Sequence, residues 1–238
     1  MNSVLSKLSE GLIVSCQALQ DEPLHSSYIM SKMAKAASEG GAVAIRANSY
    51  EDIIEIKKEV DLPIIGIVKR DYEDSEVYIT PTVKEVKELL AANVDIIAMD
   101  ATSSKRPNST TLQQLLSEVK QLDENVLLMA DCSTFEEIKN AVNLGFDIIS
   151  TTLVGYTKQS DGIDLAANNY QLLKEMIDYT HDNGCFFIAE GNIDTQEKIE
   201  NAITLGADSI VVGSMITRPQ LITKKYCDYV AKAKGKLC

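Results

Sequence analysis

Eight short runs of continuous apolar residues, each followed by a stretch with helical periodicity, constrain this chain more than any other feature. The runs are GLIVSCQA (11–18), AVAIRA (42–47), PIIGIVKR (63–70), DIIAMDA (95–101), VLLMADC (126–132), DIISTTL (147–153), FFIAEG (186–191) and SIVVGS (209–214). Continuous apolar runs mark parallel strands covered on both faces, whereas alternating runs mark strands with one wet face. Between them, Ile29, Met33 and Ala36 fall at i, i+4 and i+7, with Gly40 and Gly41 closing the segment. Thr82 with Glu85, Thr134 with Glu137 and Asp194 with Glu197 have the spacing of capping boxes. The helices ending in LGFD and LGAD stop at a glycine, and a strand follows directly. Eight such units without a Pro- or Gly-rich linker predict an α/β fold, a single (β/α)8 TIM barrel over residues 1–238 with eight parallel strands and outer helices. The alternative is a doubly wound open sheet, against which stand the missing GxGxxG after the first run and the missing GxxxxGK[ST] anywhere.

The 238 residues, 45% hydrophobic and 24% charged, suffice for a full core. A formal net charge of −12 opposes nucleic acid or an anionic membrane as partner, yet leaves room for a local basic pocket holding one phosphate. A small-molecule partner is expected. Cys16, Cys132, Cys185, Cys227 and Cys238 are odd in number and scattered, with no CxxC and no histidine spacing fit for zinc. They read as free thiols in a reducing cytoplasm, and no metal is expected. IVSC (13–16) looks like a lipoprotein cleavage box, but the apolar run before Cys16 is short and Glu10 closes it. No stretch approaches the roughly 18 consecutive apolar residues of a membrane span.

Active sites of such barrels lie at the C-terminal ends of the strands. Those ends here are Gln17, Arg46, Lys69, Asp100, Asp131, Thr151 with Thr152, Glu190, and Gly213 with Ser214. Any one of them alone reads as the start of a solvated loop, and Arg70 and Asp71 keep that reading. Jointly, Arg46, Lys69, Asp131 and Glu190 would converge on one mouth with opposite charges interleaved, where each shifts the others' pKa values. The structural alternative is an ion-pair ring closing the barrel, which leaves Lys69 without a purpose. After the seventh and eighth runs, EGNI and VVGSMITRP place Gly191, Gly213 and Ser214 where backbone N–H groups can approach a ligand. Barrels often hold a phosphate there, and Arg218 adds a charge. His25 and His181 have no Ser or Cys partner at an interpretable spacing, Cys16 and Cys132 read as small buried side chains, and EDIIEIKKE (51–59) reads as a solvated helix face.

Taken together, IVSCQALQDEPLHSS, AIRAN, PIIGIVKRDY, MDAT, ADCST, STTLVGYT, AEGNI and VVGSMITRP closely resemble the N-acetylmannosamine-6-phosphate 2-epimerase family from about residue 11 to 226. The resemblance implies interconversion of N-acetylmannosamine 6-phosphate and N-acetylglucosamine 6-phosphate, a cytoplasmic step of sialic-acid catabolism. It places the family's catalytic lysine on Lys69 and its partner carboxylate on Glu190. Gln17, Arg46 and Asp131 match residues that hold the sugar, and the loops with Gly191, Asn192, Gly213, Ser214 and Arg218 match the phosphate cradle. Two departures stand out: Asn192 occupies a position that is basic or otherwise different in some members, and Ser214 replaces a second glycine. Residues 158–169 do not map onto the family. The implied chemistry removes and returns the proton at C2 beside the C1 aldehyde, with Glu190 shuttling protons with the substrate's hydroxyls, and calls for no cofactor. A catalytically silent phosphosugar sensor and a pentose-phosphate epimerase or isomerase are the rival readings. Oligomeric state is open, a homodimer included.

Overall fold

The computed structural model describes residues 2–235; Cys238 lies outside them. Eight strands form a closed, all-parallel barrel in sequence order: β1 Gly11–Cys16, β2 Ala44–Asn48, β3 Ile64–Ile67, β4 Ile96–Asp100, β5 Leu127–Asp131, β6 Ile148–Ser150, β7 Phe186–Ala189 and β8 Ser209–Val212. Pairing of Gly11 with Ser209 through Val14 with Val212 closes the ring. The eight apolar runs contain these strands, except that β2 extends one residue further, to Asn48. Around them lie α1 Ser3–Leu8, α2 Ser27–Glu39, α3 Tyr50–Lys57, α4 Val83–Ala91, α5 Leu112–Leu122, α6 Phe135–Leu144, α7 Ala167–Asp182, α8 Gln196–Thr204, α9 Ser214–Thr217 and α10 Pro219–Ala233.

Strand side chains alternate between two cores. Ile13, Ala44, Ile65, Ile67, Ile96, Ala98, Leu127, Met129, Ile148, Phe186, Ile188 and Val211 fill the barrel, and α1 adds Leu8 to the same cluster. Their strand neighbours, among them Val14, Ile45, Ile64, Ile97, Leu128, Ile149, Phe187 and Ile210, pack outward beneath the helices. This parity decides where each strand-end charge goes. Lys69 continues the inward series of Ile65 and Ile67, while Arg70 continues the outward one. Arg70 accordingly pairs with Glu85 and, at 3.0 Å, with Glu88 on α4, away from the mouth.

Thr82 with Glu85 and Thr134 with Glu137 form reciprocal caps on α4 and α6. The box expected at Asp194 and Glu197 does not form. Thr195, one residue later and in extended conformation, caps α8 by accepting from the Lys198 N–H, and Asp194 instead binds the Lys198 ammonium at 2.7 Å. The unmapped residues 158–169 hold a short 3-10 turn at Lys158–Ser160 and run into a left-handed turn at Asn168, Asn169 and Tyr170 that opens α7. Along α10 no residue is buried, and Tyr226, Tyr229 and Val230 are exposed. Among the described residues no helix is long and apolar enough to cross a membrane.

Candidate active site

At the C-terminal end of the barrel lies a cavity of about 420 Å³, within the range of small-ligand sites. Gln17, Arg46, Lys69, Glu190, Gly191, Asn192, Gly213, Ser214 and Arg218 all line it. Asp131 does not. It sits beneath the wall, fully buried, and grips the equally buried Arg46 through Nη1 to Oδ1 at 3.0 Å and Nη2 to Oδ2 at 2.6 Å. The same Arg46 Nη1 lies 3.1 Å from Glu190 Oε2. Burial works against the Arg46 charge, but Asp131 and Glu190 outweigh it and raise the guanidinium above its ordinary value.

Lys69 is differently placed. Among the described residues its ammonium joins no ion pair, because Asp131 and Glu190 are both committed to Arg46. Its backbone is fixed by the N–H donated to Asn48 Oδ1 at 2.7 Å and by a bridge to Ile79. Burial lowers its pKa from 10.5 to about 8, with Arg46 and Arg218 adding to the shift and Glu190 and Asp131 opposing it. About a tenth of the amine is therefore neutral at pH 7, far more than for an exposed lysine.

Glu190 responds in the opposite sense: burial raises its carboxyl above the usual range, Arg46 opposes that, and Asp131 reinforces it. The Thr152 hydroxyl lies 2.6 Å from Asp131 Oδ1 and 2.9 Å from Glu190 Oε2. One hydroxyl proton can be donated to only one carboxylate, so a proton on the other completes the second contact. The shift moves Glu190 toward its protonated form relative to an exposed carboxyl. The strand order sets its position: β3 and β7 are four apart in a ring of eight, so Lys69 and Glu190 rise from opposite sides of the mouth.

The loops after β7 and β8 form the remaining wall. Gly191 has φ +79, and a Cβ there would meet Thr151 O at 2.8 Å and Thr152 O at 3.0 Å, so only glycine fits. Asn192, also at positive φ, accepts from the Tyr156 hydroxyl at 2.8 Å. Gly213 packs against Ser15 and precedes α9, where, among the described residues, the Ser214 and Met215 N–H groups meet no protein acceptor. Arg218 faces Ser214 Oγ at 3.4 Å. Gln17 donates to Ser15 Oγ at 2.8 Å, and its buried carbonyl oxygen has no partner among the described residues.

Several lining residues escaped the reading of the sequence. Tyr78 reaches the cavity because the chain folds back after β3, with Arg70 N donating to Tyr78 O and Thr80 N to Val68 O. The β-rich VYIT (77–80) was the available signal. Ser15 shares the inward parity of Gln17, which was also available, and Tyr156 lies on a loop; Thr152, named among the strand ends without a role, does line the cavity. Cys16, pushed up to about 12 by burial, and Cys132, raised well above its ordinary value by burial, are inert buried thiols as expected. His25 binds Ala18 O and His181 binds Asp208, and neither lines the cavity. Among the described residues no cluster of three or more His, Cys, Asp or Glu side chains could hold a metal ion.

Comparison with known proteins gives the same direction. Residues 30–232 match the family model described as "Putative N-acetylmannosamine-6-phosphate epimerase". A Staphylococcus saprophyticus protein named "Putative N-acetylmannosamine-6-phosphate 2-epimerase" is 57% identical over 219 residues, 92% of this chain and 97% of that one. The solved N-acetylmannosamine-6-phosphate 2-epimerase from Clostridium perfringens superposes with a TM-score of 0.87 at 50% identity, covering 94% of this chain and 95% of its own. A thiamine phosphate pyrophosphorylase from Pyrococcus furiosus, at TM-score 0.60 and 18% identity, shares the fold alone. With a family match over most of its length and a relative of this identity, the chain belongs to the N-acetylmannosamine-6-phosphate epimerase family.

Proposed function

We propose that this epimerase interconverts N-acetylmannosamine 6-phosphate and N-acetylglucosamine 6-phosphate by moving a proton at C2 between Lys69 and Glu190. The observation that carries the reading is the placement of a pKa-lowered lysine, without an ion pair among the described residues, and a pKa-raised carboxyl on opposite sides of one cavity. Epimerisation takes a proton from one face of a carbon and returns one to the other, so carriers on two sides are what the reaction needs.

In the open-chain sugar, C2 is acidified by the adjacent C1 aldehyde. Neutral Lys69 takes the C2 proton, the C–H electron pair becomes the C1–C2 double bond of an enolate, and the charge moves to O1. Glu190 then gives its proton to the opposite face of C2 while the carbonyl re-forms. Charge in the site balances throughout. At the start Arg46 and Asp131 cancel and the other two groups are neutral; at the end Lys69 is cationic and Glu190 anionic. The sum is zero in both states, so no net charge appears in the low-dielectric mouth. Proton exchange with solvent resets the pair. Asp131 acts beneath the site by holding Arg46, and Gln17 offers its free carbonyl oxygen to a sugar N–H or O–H. The loops at Gly191, Asn192, Gly213 and Ser214, with Arg218, receive the phosphate, supported by the unpaired N–H groups of Ser214 and Met215.

Incubating the protein with N-acetylmannosamine 6-phosphate and following the mixture by NMR tests the reading. The expected result is conversion to the C2 epimer, with the unphosphorylated sugar turned over far less efficiently because remote binding energy orients the reacting carbon. Binding without conversion would favour the silent sensor. Equal efficiency on the unphosphorylated sugar would remove the case for the cradle.

A further inference from the structure

Glu22 lies on the loop between β1 and α2, and Arg218, 196 residues later, stands where α9 meets α10. The two form a two-point ion pair, with Arg218 Nε 2.8 Å from Glu22 Oε1 and Nη2 donating to Oε2 at 3.0 Å. The carboxylate is itself held, accepting from Leu19 N at 2.8 Å and from Gln220 Nε2 at 3.0 Å. Four donors thus fix an acceptor that occupies the Nε/Nη2 edge of the guanidinium. The remaining nitrogen, Nη1, turns toward Ser214 Oγ. Glu22 is not among the residues lining the cavity, whereas Arg218 is.

We propose that Glu22 is a positioning residue that orients Arg218 toward the anionic end of the substrate; this rests on the reading of Arg218 as part of the phosphate cradle. A guanidinium recognises phosphate through the direction of its fork, and that direction is worth little on a freely rotating side chain. Charge alone predicts the reverse. A carboxylate near a phosphate site repels the ligand, so if Glu22 acted only by its charge, removing it would tighten binding. The two accounts differ in sign.

The test is a double-mutant cycle with Glu22→Gln, Arg218→Met and the combined variant, measuring inhibition by inorganic phosphate together with KM and kcat for N-acetylmannosamine 6-phosphate. Arg218→Met is expected to weaken phosphate binding about 10- to 100-fold, the usual worth of a charge-assisted contact. Glu22→Gln should weaken it about 3- to 10-fold and raise KM in parallel, with kcat within about twofold. In the Arg218→Met background Glu22→Gln should add nothing, an outcome that a role in loop folding alone would not give. Tighter or unchanged phosphate binding in Glu22→Gln would overturn the inference, as would an equal cost in both backgrounds. If Arg218→Met leaves phosphate binding unchanged, the cradle reading falls and the inference falls with it; a loss in Arg218→Met with none in Glu22→Gln removes the inference alone. Glu22→Asp, which keeps the charge but withdraws it by one methylene, gives the same sign of effect and serves if the glutamine variant does not fold.

Discussion

Lys69→Met abolishes measurable turnover while the barrel stays folded. Methionine retains much of the apolar stem beside Ile67 but has no basic nitrogen, and because Lys69 joins no ion pair among the described residues, its loss leaves none of their carboxylates stranded. General bases contribute about 10²- to 10⁴-fold, so a loss at least that large is expected. The pH profile gives a second check. The active amine is the deprotonated form and the active carboxyl the protonated one, so kcat/KM in the wild type rises with pH toward the Lys69 pKa of about 8 and falls again where Glu190 loses its proton. Well below the Lys69 pKa it falls about tenfold per pH unit. Any residual activity of Lys69→Met should lack this limb. Near-normal turnover with the limb intact, in a folded variant, would make Lys69 the start of a solvated loop and nothing more.

Arg46→Met is expected to be the most destabilising single change at the mouth. Arg46 is 1% exposed and Asp131 0%. Losing the guanidinium leaves Asp131 buried with the Thr152 hydroxyl beside it and Glu190 without its 3.1 Å cation. Stranding a buried carboxylate costs about 3–5 kcal/mol, far more than an intact pair contributes relative to apolar packing. For a chain of this size that lowers Tm by roughly 10 °C. The sign with pH follows from Glu190: Arg46 opposes the rise of its pKa, so without Arg46 that pKa rises further, protonation then favours the folded form, and the deficit narrows as pH falls. Combining Arg46→Met with Asp131→Asn should recover part of the loss, since the second change removes the stranded charge. Thermal unfolding of the three variants at two pH values measures all of this, and an Arg46→Met variant within about 1 kcal/mol of wild type would contradict the account.

The barrel was legible because its strands are buried on both faces and so read as continuous apolar runs, and strand-end positions named Gln17, Arg46, Lys69, Glu190, Gly213 and Ser214 of the cavity wall. Parity was the finer signal: the two-residue period that sends Ile65 and Ile67 inward also sends Lys69 inward and Arg70 outward. Depth was not legible. Asp131 ends β5 as Glu190 follows β7, yet the ring's stagger sinks one below the wall and leaves the other on it. Nor was the docking of the segment carrying Tyr78: VYIT marks it as β-rich, but the backbone hydrogen bonds that lay it along the end of β3 are announced by no side-chain pattern. Contacts such as Glu22 with Arg218 join ends of the chain that only ring closure brings together. The expected cap at Asp194 failed for a local reason: two cap-competent residues stand side by side, and spacing does not choose between them.

The central claim, that Lys69 removes the C2 proton, is tested most directly by turnover in D₂O with deuterium at C2 followed by NMR in wild type and Lys69→Met. The hydrogen returned to C2 comes from Glu190, whose carboxyl proton exchanges with solvent between cycles, so wild type should place deuterium at C2 of the product, and Lys69→Met, unable to remove the original proton, should lose C2 exchange at least as completely as it loses conversion. Deuterium entering C2 at a near wild-type rate in folded Lys69→Met would contradict the account.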